Sequence, residues 1–152
     1  KVCLVGDAGV GKTSFVRHLR PGAAPSRGVS LHRFRLHTHG GSAREVMFWD
    51  VDGRSAIDCL NQAFLSGADA VVAIADATRP ATLETARRLI DRVRQLRPAI
   101  PAVLLLNKRD LEADADPARF RCDDVPAVEM SLHTGHGVSD ALRALADALP
   151  RD

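Results

Sequence analysis

Cysteine is scarce: Cys3, Cys59 and Cys122 are the only three in 152 residues. They stand far apart, without the paired spacing of a metal site. An odd, sparse set of this kind fits reduced thiols and a cytoplasmic location. Strong charge of either sign is also lacking. The net charge is +2, too small to argue for nucleic acid as a partner. No apolar run approaches the roughly 18 residues that a membrane span needs. No signal peptide is visible at the start and no cysteine near the end could take a lipid, so no direct membrane anchor is expected. Repeats and low-complexity tracts are missing too. What is present is ordinary for a folded domain: 45% apolar and 26% charged residues, neither a disordered tail nor a membrane protein. The length suits a single domain, residues 1–152, around one core. The chain opens at Lys1 inside a predicted strand, as a domain cut from a longer protein would.

Short apolar runs alternate with helical patterns. Val2, Cys3, Leu4 and Val5 in a row predict a strand over residues 1–5, buried on both faces. Residues 12–20 read as a helix. Residues 31–37 and 44–51 read as two strands of a hairpin, with Gly40-Gly41 at the turn. Residues 70–75 (AVVAIA) and 102–106 (AVLLL) are further buried strands. Between them, residues 81–96 set Ala86, Leu89, Ile90, Val93 and Leu96 on one helical face, and residues 138–148 do the same for Leu142, Leu145 and Leu149. Residues 20–30 (RPGAAPSRGVS) form a loop rich in Pro, Gly and Ser. Strands alternating with helices argue for an α/β domain whose mostly parallel sheet is covered on both faces, the hairpin adding one antiparallel strand.

Between the first strand and the first helix lies Gly6-Asp7-Ala8-Gly9-Val10-Gly11-Lys12-Thr13-Ser14, which fits G-x-x-x-x-G-K-[ST]. Gly6 and Gly11 let the backbone bend closely around phosphate. Successive N–H groups and the helix N-terminus then face the anion. Lys12 would reach the outer phosphates, and the Thr13 hydroxyl would bind Mg²⁺. Chance supplies such a match in roughly one of a few hundred chains of this size.

After the AVLLL strand comes Asn107-Lys108-Arg109-Asp110. Ligands of open α/β sheets sit beyond the carboxyl ends of the strands, where this tetrapeptide falls. A carboxylate such as Asp110 can accept from both N1–H and N2–H of guanine, a pair that adenine does not offer. The stem of Lys108 is long enough to lie flat on a base. An ATPase or small-molecule kinase would keep the phosphate cradle but lack N-K-x-D.

These two motifs, in this order, resemble those of a Ras-like small GTPase of the P-loop class. GDAGVGKTS is similar to the Rab branch, and the resemblance covers nearly the whole chain. It implies a six-stranded, mostly parallel sheet with one antiparallel strand, GTP or GDP with Mg²⁺ as ligands, and a switch cycle. Cradle residues 6–14 would hold phosphate. Ser26 in PSRGVS stands where the first switch places a metal-binding hydroxyl. The family's W-D-T-A-G-Q corresponds to Trp49-Asp50-Val51-Asp52-Gly53-Arg54. N-K-x-D is Asn107, Lys108 and Asp110, and E-T-S-A-K is Glu129-Met130-Ser131-Leu132-His133. Ser131 would brace the base pocket, and backbone N–H groups at Leu132 and His133 would reach the guanine oxygen. Thr13, Ser26 and Asp50 would surround Mg²⁺, with Lys12, Gly53 and Arg54 as the catalytic set. Protein effectors or regulators would engage residues 20–35 and 50–66. Adjoining domains or a second copy are further expected partners.

The sequence departs from the family in four places. The segment from Thr13 to Ser26 is short, which removes ribose contacts. Residues 111–125 are too short and too poor in apolar spacing for the family's full fourth helix, with Pro117–Arg121 long enough for one turn. Leu132 and His133 replace Ala and Lys. Most importantly, Asp52 and Arg54 replace Ala and Gln. Asp50 and Gly53 retain D-x-x-G, so Asp50 would hold Mg²⁺ through water and the Gly53 N–H would meet the γ-phosphate. That N–H would lose its acceptor once the phosphate leaves, so the resemblance implies that the loop after it would relax. The missing Gln is the residue that orients the attacking water. The sequence therefore describes a site built to bind GTP and poorly equipped to hydrolyse it unaided. Slow switch and nucleotide-dependent scaffold both fit, the second being similar in this sense to Roc domains of larger proteins.

Other candidates carry less. His37 and His39 could share a strand face, but no third metal ligand accompanies them and a solvated edge explains them better. His133 and His136 line or flank a loop. Arg87, Arg88, Arg92, Arg94 and Arg97 read as the solvated side of one helix. Trp49 reads as packing.

Overall fold

The structure of the protein is a computed structural model that describes residues 1–23, 28–37, 41, 43–51, 60–111 and 124–150. In chain order the elements are β1 (Val2–Val5), α1 (Lys12–Leu19), β2 (Val29–His37), β3 (Ala43–Val51), α2 (Gln62–Leu65), β4 (Ala70–Asp76), α3 (Pro80–Leu96), β5 (Ala102–Asn107), β6 (Ala127–Glu129) and α4 (Val138–Ala148). The strands form one sheet in the order β2-β3-β1-β4-β5-β6. All neighbours run parallel except β2 and β3, whose antiparallel register runs from Val29 opposite Val51 to His37 opposite Ala43. This is the small G-domain architecture that the resemblance implies.

Period-two alternation explains why β4 and β5 read as unbroken apolar runs. Val71, Ala73 and Ala75 join one core with Leu83, Ala86, Leu89, Ile90 and Val93 of α3. Val72 and Ile74 join the other, with Phe15 and Val16 of α1 and Leu145 of α4. A strand covered by helices on both faces has no polar side to show. Phe15 and Phe48 meet edge to face at 6.0 Å in the second core. Trp49 packs against Phe64 at 6.1 Å, with the Lys1 ammonium 3.8 Å from the indole centre, so Trp49 is a packing residue as its position suggests. Cys3 is buried and its thiol is pushed up to about 11 by desolvation, against the opposing pull of Lys1, so it too serves packing.

The expected loop over 20–30 ends earlier than its composition suggests. Val29 and Ser30 already belong to β2, because pairing with Val51 and Asp50 overrides the local polarity. Helix α2 has four residues and no apolar periodicity long enough to read. Its start is fixed by Asn61, whose side chain accepts from the Phe64 N–H at 2.9 Å. Exposed Arg88 and Arg92 lie along α3, exposed Arg97 caps its end, and Arg87 pairs with Glu84 at 2.7 Å, the solvated face expected of them. The turn at Gly40, His39, and the shortened helix about Pro117–Arg121 lie outside the described residues. Among the described residues, no helix is long and apolar enough to cross a membrane.

Candidate functional site

Every parallel strand that borders the site ends at the same edge of the sheet. β1 ends at Val5 and runs into the cradle, β3 brings Asp50, β4 ends at Asp76, β5 at Asn107, and β6 leads to Ser131 and Leu132. The strand order reverses direction across β1, so a crevice opens at the point where ligands of open α/β sheets bind.

Close approach dictates the cradle glycines. A Cβ on Gly6 (φ 148°) would lie 2.4 Å from the Ile74 carbonyl oxygen, and one on Gly11 (φ 112°) 2.3 Å from Asn107 Nδ2. Both positions therefore exclude a side chain on space and on backbone conformation. Lys12 is 6% exposed. Its ammonium donates to the carbonyls of Gly6 at 3.0 Å and Asp7 at 2.8 Å, so it lies over the loop that it belongs to. The Asp7 side chain accepts from the Ala8 N–H at 2.8 Å. Thr13 Oγ1 donates to Asp50 Oδ2 at 2.8 Å, with Asp50 fully buried. This brings two of the three expected metal ligands together. Hydroxyl and carboxylate oxygens are the hard donors that Mg²⁺ takes.

Asn107 ties the loops to one another. Its Nδ2 donates to the Val10 carbonyl at 2.9 Å, and its Oδ1 accepts the Leu132 N–H at 3.1 Å. Ser131 is buried, and its Oγ accepts from the Thr134 N–H at 3.1 Å, bracing the last loop. Lys108 has a left-handed backbone, φ 67°, and its ammonium donates to Asp76 Oδ2 at 2.7 Å. Ala8, Gly9, Gly11, Lys12, Thr13 and Ser14 meet Asn107, Lys108, Asp110, Leu132 and His133 around one cavity of about 970 Å³. Ser26, Asp52, Gly53 and Arg54 lie outside the described residues.

Two residues behind this wall, bonded to its Lys108 and Ala8, carry no mark in the sequence motifs. Asp76 is buried, which pushes its carboxyl up. Hydrogen bonds from Lys108, Thr78 and Arg79 outweigh that and hold it down at about 2. Arg79 donates from Nε to Asp76 Oδ2 at 2.9 Å and from Nη2 to the Ala8 carbonyl at 2.8 Å. The available signal is an acid at the end of a buried strand; Asp50 likewise falls one residue before the end of β3.

Fold and strand-end loops together define a P-loop small G-domain. The chain matches, over residues 1–110, the family model described as "Ras of Complex, Roc, domain of DAPkinase". It belongs to this Ras-like GTPase family, and GTP binding is the family's general property. It is 28% identical over 158 residues to the human "EF-hand calcium-binding domain-containing protein 4B", covering 96% of this chain and 22% of that protein. It is 26% identical over 163 residues to "Ras-related protein RabG2" of Dictyostelium discoideum, covering 100% of this chain and 83% of that protein. It is 27% identical over 165 residues to mouse "Ras-related protein Rab-37", covering 98% and 72%.

Proposed function

We propose that this chain is a guanine-nucleotide switch domain that binds GTP or GDP with Mg²⁺, hydrolyses GTP slowly and controls a protein partner or adjoining domains. The observation that supports it is the single cavity shared by the cradle and the Asn107–Asp110 loop. Its volume, about 970 Å³, lies in the range of small-molecule and cofactor sites. Lys12 would exchange the carbonyls of Gly6 and Asp7 for outer phosphate oxygens. The cradle N–H groups would face the same phosphates. Asp110 would accept from the guanine edge, and Thr13, Asp50 and Ser26 would surround Mg²⁺. Mg²⁺, when bound, neutralises charge on the outer phosphates.

Hydrolysis turns on Arg54. Arginine has five donors and no acceptor, so it cannot orient water as the family's glutamine does. Asp52, two residues before it, would hold the guanidinium in a charge-assisted pair. The scaffold reading, in which bound nucleotide is mainly structural, draws on the same arginine and on the Roc match. One experiment tests both. The nucleotide released from denatured protein is identified, and GTP turnover is then timed under single-turnover conditions. Guanine nucleotide with slow turnover is expected. Arg54→Gln should raise the rate with affinity changed only a few-fold, and Arg54→Ala should change the rate little. A hundredfold drop in Arg54→Ala would make the arginine a working catalytic group and sink this account of the site.

A further inference from the structure

Asp76 is 1% exposed and closes β4 behind Lys108, a residue that lines the cavity. Its Oδ2 accepts from Lys108 Nζ at 2.7 Å and from Arg79 Nε at 2.9 Å. Its Oδ1 accepts from Thr78 N at 3.0 Å and Thr78 Oγ1 at 2.6 Å. The turn from β4 into α3 also carries bonds that do not use Oδ2. Thr82 Oγ1 accepts the Asp76 N–H at 2.9 Å, and the Arg79 N–H donates to the Asp76 carbonyl at 3.0 Å. Oδ2 instead serves the site. One of its cations is Lys108, a cavity-lining residue held in a left-handed conformation that side chains seldom adopt. The other is Arg79, whose second arm reaches the Ala8 carbonyl of the cradle at 2.8 Å. Base-side and phosphate-side loops thus hang from one buried oxygen.

We propose that Asp76 and Arg79 are positioning residues for the nucleotide, Asp76 setting Lys108 against the base while Arg79 carries the same anchor to the cradle at Ala8. This rests on the guanine-nucleotide reading of the cavity given above. Arginine is suited to the task because its planar fork donates in two directions at once, which a lysine ammonium does not do with fixed geometry. The Arg79 arm bears on the phosphates and the Lys108 arm on the base, so the two arms have separable signatures.

Arg79 is 45% exposed, so Arg79→Ala tests the arm without opening the core, and circular dichroism checks that the fold is kept. The probes are GDP and GMP, measured by competition against a fluorescent GDP. Arg79→Ala should raise the GDP dissociation constant about tenfold and speed its release, while the GMP constant changes less than twofold. Arg79→Lys should not restore GDP affinity. In an Asp76→Asn background, Arg79→Ala should add less than twofold, because the strut has lost its anchor. GDP affinity within twofold of the unmodified protein, or equal losses for GDP and GMP, overturns the positioning role even if the Asp76 variant fails to fold. An unmodified protein that binds no GDP overturns the reading of the cavity, and this inference with it.

Discussion

Asp110 stands exposed on the rim of the cavity, one residue past buried Arg109, whose Nε donates to Glu129 at 2.9 Å. That neighbour fixes the loop, and Asp110 lines the cavity. Its carboxylate can take both N–H donors of guanine, and its loss leaves polar groups in the complex without partners, a few kcal/mol by analogous substitutions. Asp110→Asn should therefore weaken GTP by about a hundredfold and favour xanthosine triphosphate, whose C2 carbonyl accepts where guanine donates. Competition binding reads both. ATP competing equally with GTP in the unmodified protein would remove Asp110 from this role. At this scale the sequence is legible where chemistry requires a fixed spacing, as in Gly6 to Ser14. It is less so at Asp76 and Arg79, because hydrogen bonds across 32 and 71 positions leave no local pattern.

Elements carry the site by ending together, and their legibility follows burial. β4 and β5, with seven and six residues, are buried along nearly their whole length, so composition alone marks them. β6 has three residues, exposed or half-buried, and nothing in its composition separates it from a loop. Only pairing with Leu104–Leu106 makes it a strand, and the family resemblance, not periodicity, supplies a sixth one. Cradle geometry gives the sharpest test here. Gly11→Ala would push a methyl carbon to 2.3 Å from Asn107 Nδ2 at φ 112°. Asn107 would have to leave the Val10 carbonyl, unlinking the cradle from the last loop. The expected cost is about 1–3 kcal/mol of stability, with nucleotide affinity falling at least a hundredfold. Gly22→Ala is the matched control. It has positive φ, 89°, but nothing within 4 Å. It should lose about 1 kcal/mol in denaturant melts and bind nucleotide normally. Equal binding by the two variants would show that the cradle tolerates the methyl group.

Stability of the whole molecule should report on the same site through linkage. Asp76 is lowered from 3.8 to about 2 in the folded protein, a shift worth on the order of 2 kcal/mol. The stabilisation is fully present well above pH 3.8 and is lost as pH falls from there through about 2, since the carboxyl binds its proton more readily when unfolded. Asp76→Asn should flatten that part of the acid-unfolding curve; an unchanged curve would show that Asp76 gives no such stability. Ligand acts on the same balance from outside. A nucleotide that binds only the folded chain, at a hundred times its dissociation constant, adds about 2.7 kcal/mol. For a chain of 152 residues this raises the melting temperature by roughly 5–11 °C, taking about 2–4 °C per kcal/mol for this size. GTP with Mg²⁺ should produce that shift and ATP should not. Chelating Mg²⁺ should remove more of it for GTP than for GDP, because the ion, held by Thr13 and Asp50, would neutralise charge on the outer phosphates. Thr13→Ala, which deletes the hydroxyl 2.8 Å from Asp50, should abolish the Mg²⁺-dependent part and leave a smaller Mg²⁺-independent shift. Differential scanning fluorimetry at matched saturation checks all of these. A GTP shift that survives chelation in full would exclude Thr13 and Asp50 as the metal's surroundings, while leaving the Asp110 test of guanine recognition untouched.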